Sequence, residues 1–367
     1  MSNILLITIQ NNSNFGNRLQ NYALQTIIEN MGNNVYNLTF SDVPLASLKI
    51  TNIQKIKNVL KKIAVKCGIK EYKSSLAIWK RRHKCICFSK NYIHNYIVLS
   101  QGELKTYDFS RFDSAVTGSD QVWHNWKRIE NELSYYYLDF FPKDNKVAYA
   151  PSFGFDTIPK EDLEMHYKGL MGIKHLSCRE QDGCDLIHKI TGRYAEKVLD
   201  PTLLLPQDEW VRIEKQPTLY VKEKYLLLYM LGDVSAEYQS EISKISQKYN
   251  LQIIDINEKR DIDAYGISPN EFIWLIHHAD TVCTDSFHAC VFSILFEKKL
   301  RIFKRIGKGF EHMFSRINNL VVPLGLEKLI FSNSEDCLST TLCADEKAYL
   351  EEQRRKSVEY IGKSLAE

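Results

Sequence analysis

The sequence predicts an α/β fold of two Rossmann-like doubly wound domains facing across a cleft, and three observations carry that prediction. Short apolar runs alternate with stretches of helical periodicity along most of the 367 residues. The first series, Ile4 to Phe40, reads strand, loop, helix, strand, the unit that builds a parallel sheet. A second series restarts at Tyr225, after a polar stretch punctuated by Pro201, Pro206 and Pro217. Length points the same way, because chains beyond roughly 250–300 residues usually divide into domains.

In the first series, Ile4 to Ile9 is a strand and NNSNFGN (11–17) a polar loop. Leu19, Ala23, Leu24, Ile27, Ile28 and Met31 then fall at helical spacing. Gly32 stops that helix and Val35 to Phe40 is the next strand. Residues 51 to 90 read as a basic helical insertion lying across the surface, with Ile53, Ile56, Leu60 and Ile63 on one face and lysines on the other. The α/β rhythm resumes with strands at 114–117, 147–150, 175–179 and 198–199 and helices near 160–170 and 180–190. The first domain is expected to span 1–205 and the second 220–367, with the three prolines marking a linker. Tyr225 to Leu231 is a continuous apolar run, as in a strand buried on both faces of a parallel sheet. Helices at 235–248, 269–278 and 286–296 and strands at 251–256, 281–284 and 300–303 follow, and a polar helix, 334–363, closes the chain by packing back.

Composition excludes several classes. Apolar residues make up 44% and charged residues 25%, as in an ordinary globular protein. Nothing approaches the ~20 apolar residues of a membrane span, and the start lacks a basic signal-peptide region, so a cytoplasmic protein is expected. The nine cysteines are scattered without a CxxC pair, which reads as reduced thiols and no metal site. The net charge of +3 conceals a basic run: between Lys55 and Lys84 stand eleven cations against Glu71 alone. Such a run suits nucleic acid, an anionic membrane face, a phosphorylated substrate or a plainly solvated helix. Nothing else in the chain resembles a reader of bases, and no nucleic-acid partner is expected.

In doubly wound sheets, ligands bind beyond the carboxyl ends of the strands, so the strand-end loops hold the candidate chemistry. Asn14, Gly16 and Asn17 lie where a loop enters a helix, suited to an anionic or hydroxyl-bearing ligand or simply to an N-cap. GSDQVWHNW (118–126) crowds Ser119, Asp120, Gln121, Trp123 and His124 into one loop. Carboxylate and amide groups there suit sugar hydroxyls and indole suits a ring face; the same residues also make a capped turn over core tryptophans. In TDSFHAC (284–290), Asp285, Ser286 and His288 sit at a strand-to-helix turn, where the helix dipole favours negative charge and a histidine can donate a proton near neutral pH. Arg179, at another strand end, can grip a carboxylate or phosphate with two parallel bonds. Lys304, Arg305 and Arg316 are further cations near the second domain's ligand edge.

Together these segments resemble the polysaccharide pyruvyl transferase family. The matching stretches are NFGNRLQNYALQ (14–25), TGSDQVW (117–123), YAPSFG (149–154), SCREQDG (177–183), VLDPTLLL (198–205), TDSFHACVFSILF (284–296), SRI (315–317) and LGLE (324–327). The resemblance implies a GT-B-like pair of domains and transfer of the pyruvyl group of phosphoenolpyruvate to two sugar hydroxyls, forming a ketal in bacterial surface polysaccharide, with no cofactor. It assigns His288 as acid or phosphate-side donor and Asp120 as base or hydroxyl ligand, with His124 an alternative base. Arg179, Ser286, Asp285, Arg316, Lys304 and Arg305 fall on the donor side. Asn14, Gly16, Asn17, Ser119, Gln121, Trp123 and His124 fall on the acceptor side.

One departure from the family pattern stands at Ser286, where related transferases often carry arginine; Arg316, Lys304 or Arg305 would supply the charge. A GT-B-type glycosyltransferase using a nucleotide sugar accommodates Ser286 directly, and a non-catalytic sugar-binding component of a capsule-assembly complex is the third reading. Because such sugars are commonly built on anionic lipid carriers, the basic run from Lys55 to Lys84 is expected to touch an anionic membrane, and the acceptor to be free or lipid-linked.

Overall fold

The computed structural model describes residues 1–43, 47–66, 72–124, 132–155, 157–307, 314–332 and 337–366. In chain order the first domain holds β1 (Asn3–Ile7), α1 (Phe15–Asn30), β2 (Asn34–Phe40), α2 (Asn52–Lys66), α3 (Lys73–Tyr92), β3 (Tyr96–Leu99), β4 (Ser114–Thr117), α4 (Glu132–Tyr136), β5 (Lys146–Ala148), α5 (Leu163–Met171), β6 (Ser177–Cys178), α6 (Gln181–Thr191) and β7 (Glu196–Lys197). Helix α7 (Gln207–Ile213) leads to the second, with β8 (Tyr225–Tyr229), α8 (Ala236–Tyr249), β9 (Gln252–Asp255), α9 (Ile262–Tyr265), α10 (Pro269–His277), β10 (Thr281–Thr284), α11 (Phe287–Leu295), β11 (Lys299–Ile302), α12 (Ser315–Val321) and α13 (Ala344–Ala366).

Both large sheets are parallel. The first runs β3-β2-β1-β4-β5 and the second β11-β10-β8-β9. Each order reverses once, between β1 and β4 and between β8 and β10, and at such a reversal the helices leave on opposite faces and open a crevice at the strand ends. The loops after β1 and β4 therefore face those after β8 and β10, the layout of GT-B proteins. Apolar packing fixes this arrangement. Phe15, at the start of α1, stacks on Phe272 of α10 with ring centroids 4.9 Å apart, and one core cluster runs through both domains.

Three segments tie the domains together. The proline-punctuated stretch expected as a linker is partly helical: Pro206 caps α7, and Trp210 is fully buried against Tyr22 of α1 and Phe292 of α11. Helix α13 returns to the first domain, where Tyr360 donates to the Ala148 carbonyl and the Arg354 Nε–H to that of Leu203. Helix α3 reaches the other way. Arg81, 4% exposed, donates to the carbonyls of Tyr265 and Ile256 and lies 3.5 Å from the Tyr265 ring, while Lys84 pairs with Glu271 and Lys80 with Asp263.

Several expectations shift. The strand expected at 198–199 is absent, and the ladder there involves Glu196 and Lys197. Strand β3 was not anticipated; it is an edge strand whose identity rests on distant pairing with β2. The terminal helix begins at Ala344 rather than 334, and the first residues expected in it lie partly outside those described. The insertion is helical, but α2 turns its apolar stripe outward: Ile56 is 61% and Leu60 60% exposed. Among the described residues no helix is long and apolar enough to cross a membrane.

Replacing Arg81 by methionine keeps the volume but strands two carbonyls, so R81M should lose about 2–4 kcal/mol of stability in urea denaturation. A loss below about 0.5 kcal/mol would show that α3 is not a strut between the domains.

Candidate functional site

The loop after β4 owes its shape to Gly118 and Asp120. Gly118 has φ +122°, and a Cβ there would lie 2.0 Å from the Tyr149 carbonyl oxygen, so only glycine fits. Asp120 is also left-handed, at φ +69°, and pairs with Pro151 as an isolated bridge. This turn carries the Asp120 carboxylate into the domain interface. There it accepts from Asn17 Nδ2 (2.6 Å), Arg179 Nη2 (3.2 Å) and Arg316 Nη1 (3.4 Å), the last from the second domain.

Arg179 is the centre of the network. Its Nη1 donates to Asp200 Oδ2 at 2.8 Å, its Nε lies 3.6 Å from Glu180, and its guanidinium sits 4.5 Å from the Phe287 ring. Asp200 also accepts from Ser119 Oγ and from the backbone and hydroxyl of Thr202. His288, on the first turn of α11, brings Nε2 to 3.8 Å from Asp200. Two helix N-termini converge here, since Gly16 of α1 lies beneath the imidazole and a Cβ at Gly16 would stand 2.1 Å from His288 Nδ1. Their dipoles favour negative charge between them.

Burial and charge set the protonation states. Burial works to raise the Asp120 carboxyl, but Arg179, His288 and Arg316 outweigh it and hold it below the ordinary carboxylate range. Asp200 is lowered in the same way, by His288, Arg179 and the Thr202 bonds against burial. His288 titrates below its ordinary 6.5 because burial, helped by both guanidiniums, outweighs Asp200 and Asp120. Burial and Arg179 bring Arg316 down to about 10, so it stays charged at neutral pH. His288 Nε2, Arg179 Nε and Arg316 Nε are buried and find no hydrogen-bond partner among the described residues. Such groups have donor capacity in reserve for a polar ligand.

Beside this network, a small pocket of about 10 Å³, room for roughly one water, is lined by Asp285, Phe287, Arg305, Phe314, Arg316 and Ile317. The Asp285 carboxylate accepts the N–H groups of Leu231 and Gly232 at 2.7 and 2.8 Å and pairs with Arg305, so it holds the β8 loop to the β10 loop. Ser286 is the N-cap of α11 and makes no side-chain cap bond. Lys304 is exposed, its Nζ 5.5 Å from the Phe314 ring. Asn14 caps α1 by accepting from the Asn17 N–H.

The structure thus gathers Asn17, Ser119, Asp120, Arg179, His288 and Arg316 into one cluster and leaves Lys304 outside it. Trp123 corrects an expectation: it is fully buried, stacked on Tyr137 at 5.5 Å and packed on Phe153, so no indole face remains for a sugar. Gln121 and His124 border the 151–154 loop, His124 Nδ1 lying 2.8 Å from the Phe153 carbonyl. Burial lowers the His124 pKa. Asn125 and Trp126 lie outside the described residues. Sequence reasoning missed Asp200, Glu180 and Phe287. For Asp200 a signal existed, since an aspartate before Pro201 in a strand-end segment is placed to cap a turn.

The family model of polysaccharide pyruvyl transferases matches residues 14–304. The chain belongs to that family, which makes it a transferase concerned with polysaccharide. Among solved structures it is similar to UDP-GlcNAc 2-epimerase from Methanocaldococcus jannaschii, at 10% identity over 98% of this chain and 92% of that one, TM-score 0.49. It is also similar to MurG from Acinetobacter baumannii, at 10% over 100% and 95%, TM-score 0.37. A third is HepE from Anabaena in complex with UDP and glucose, at 8% over 100% of both chains, TM-score 0.43. At these identities they assign no substrate and no residue role. No curated protein is similar enough to count as a relative.

Asp120, Asp200 and His288 give a pH signature. Each has a folded pKa below its unfolded value, so between the two the unfolded chain binds more protons, and stability falls as pH falls. For His288 that loss starts near 6.5, and for Asp120 and Asp200 it follows in the carboxylate range. Urea denaturation stepped from pH 7 to 5 should show a shallower fall in H288Q than in wild type. His166, lowered to about 4 by burial, retains part of the slope. An unchanged slope would mean that His288 titrates normally.

Proposed function

We propose that this member of the polysaccharide pyruvyl transferase family moves the enolpyruvyl group of phosphoenolpyruvate onto two hydroxyls of a sugar, closing a pyruvate ketal. The observation that carries the proposal is His288, buried at a junction of two helix N-termini under the influence of Arg179 and Arg316, with Nε2 making no hydrogen bond and lying 3.8 Å from Asp200. Phosphoenolpyruvate is an enol phosphate with a carboxylate. Its use requires cations for both anionic groups and an acid for the methylene carbon.

Arg305 and Arg316, which line the small pocket at the start of α11, supply charge near Ser286 for the phosphate, and the pocket has to widen to admit it. Arg179 suits the carboxylate. A trianionic donor beside His288 favours imidazolium, reversing the effect of burial, so donor binding itself arms the acid. Protonation of the methylene makes a methyl group and leaves an oxocarbenium at the central carbon. One sugar hydroxyl adds there and loses its proton; phosphate departs with its C–O electron pair; the second hydroxyl closes the ring. The two hydroxyl protons account for the new methyl hydrogen and for the proton on the released phosphate.

Asp120 already accepts three hydrogen bonds and is held below the ordinary carboxylate range, which makes it a weak base. Its fitting role is to orient Arg179 and Arg316 and to receive a sugar hydroxyl when one of those bonds yields. Asp200 orients His288. His124, whose pKa is also lowered, is neutral at pH 7 and suited to take a hydroxyl proton near the acceptor loop.

Incubation with phosphoenolpyruvate and a panel of galactose-, glucose- and N-acetylmannosamine-containing acceptors should release one phosphate for each ketal, seen as pyruvate mass on the sugar. H288N should lower kcat by about 10²–10⁴ while keeping the wild-type circular dichroism spectrum. Turnover of a nucleotide sugar with none of phosphoenolpyruvate would assign the cleft to glycosyl transfer instead. Binding of sugar without turnover of either donor would favour the non-catalytic reading.

A further inference from the structure

The basic run divides into two parts with different work. In α3, Lys80, Arg81 and Lys84 are spent on Asp263, Glu271 and backbone carbonyls of the second domain. In α2 the pattern is inverted relative to a packed surface helix. Ile56, Val59, Leu60 and Ile63 recur at helical spacing and are 61, 55, 60 and 53% exposed, whereas the polar Asn58 on the opposite side is buried. Lys62 stays exposed with its Nζ 5.2 Å from the Trp79 ring of α3. At about 100° per residue the four apolar side chains occupy an arc of roughly 100°, with Lys57 on one flank and Lys55 on the other. The fifteen residues include five lysines and no acidic residue.

We propose that α2 is an interfacial anchor that lays its apolar stripe into the surface of an anionic bilayer. Exposed aliphatic side chains in a row gain by leaving water, and a cationic border selects a negatively charged headgroup layer. A second copy of the chain is the poorer occupant, because pairing two such stripes brings lysine borders of like charge together. The segment that leads into α2 meets the loop after β1. Helix α2 follows β2 at the ligand edge of the first sheet, and on the segment leading into it the Ser47 carbonyl accepts from Asn12 of the loop after β1. Seating α2 in a bilayer therefore holds the cleft edge close to the headgroups.

The test uses the full-length protein and reads sedimentation with vesicles, so it is independent of any transferase activity. Wild type should pellet with phosphatidylcholine vesicles containing phosphatidylglycerol and much less with phosphatidylcholine alone. I56Q/L60Q should partition roughly tenfold less and K55Q/K57Q several-fold less, both with wild-type thermal midpoints, since all four positions are exposed. Wild type remaining in the supernatant with the anionic vesicles, or I56Q/L60Q pelleting as wild type does, would overturn the proposal. So would a wild-type dimer in analytical ultracentrifugation that I56Q/L60Q converts to monomer, since the stripe would then be covered by a second copy.

Discussion

Asp120 is a buried carboxylate that receives hydrogen bonds from Asn17, Arg179 and Arg316, so one charge ties α1, the strand-end loop after β6 and α12 of the opposite domain. Each partner depends on it. Two guanidiniums enclosed without a counter-ion would each carry a desolvation cost of several kcal/mol. With Asp120 and Asp200 present, Arg179 is held firmly charged and fixed in direction. The loop geometry at Gly118 and Asp120, the close approach of Gly16 to His288 and the seating of α12 all follow from delivering that carboxylate to that place. The cluster is therefore polar, buried and pre-ordered, the conditions under which fixed charges act most strongly on a reacting group.

What the sequence made legible was the part that is local. The β1-α1-β2 unit, the parallel sheets and the strand-end positions of Arg179, Asp120 and His288 follow from periodicity and from the rule that ligands gather beyond strand ends. What it hid depends on distant partners. Trp123 sits in a polar loop, and nothing adjacent in sequence reveals that Tyr137 and Phe153 enclose it. Asp200 stands in a segment with an ordinary capping role, and its contact with Arg179 and His288 exists only once both domains are folded. The amphipathic pattern of α2 was plain, but a periodic stripe does not say which side meets protein, and here the buried side is that of Asn58.

The arrangement also separates two uses of positive charge. Arg179 and Arg316 are enclosed and paired, so their interactions are weakly screened by salt. Lys55, Lys57 and Lys62 of α2 are exposed, and exposed charges act within a Debye length, about 8 Å at physiological ionic strength. The proposed ligand binding in the cleft and the proposed attachment through α2 would therefore respond to salt very differently, although both begin from cationic side chains.

Helices α3, α7 and α13 each bridge the domains, two of them far from the connecting segment in sequence. The two sheets are consequently not interchangeable modules. A chimaera cut between residues 205 and 220 would inherit an α3 whose Arg81 meets foreign carbonyls and an α13 laid on a foreign floor. Recombination of the two domains would have to carry these helices with the surfaces they cover, which places the unit of exchange at both domains together.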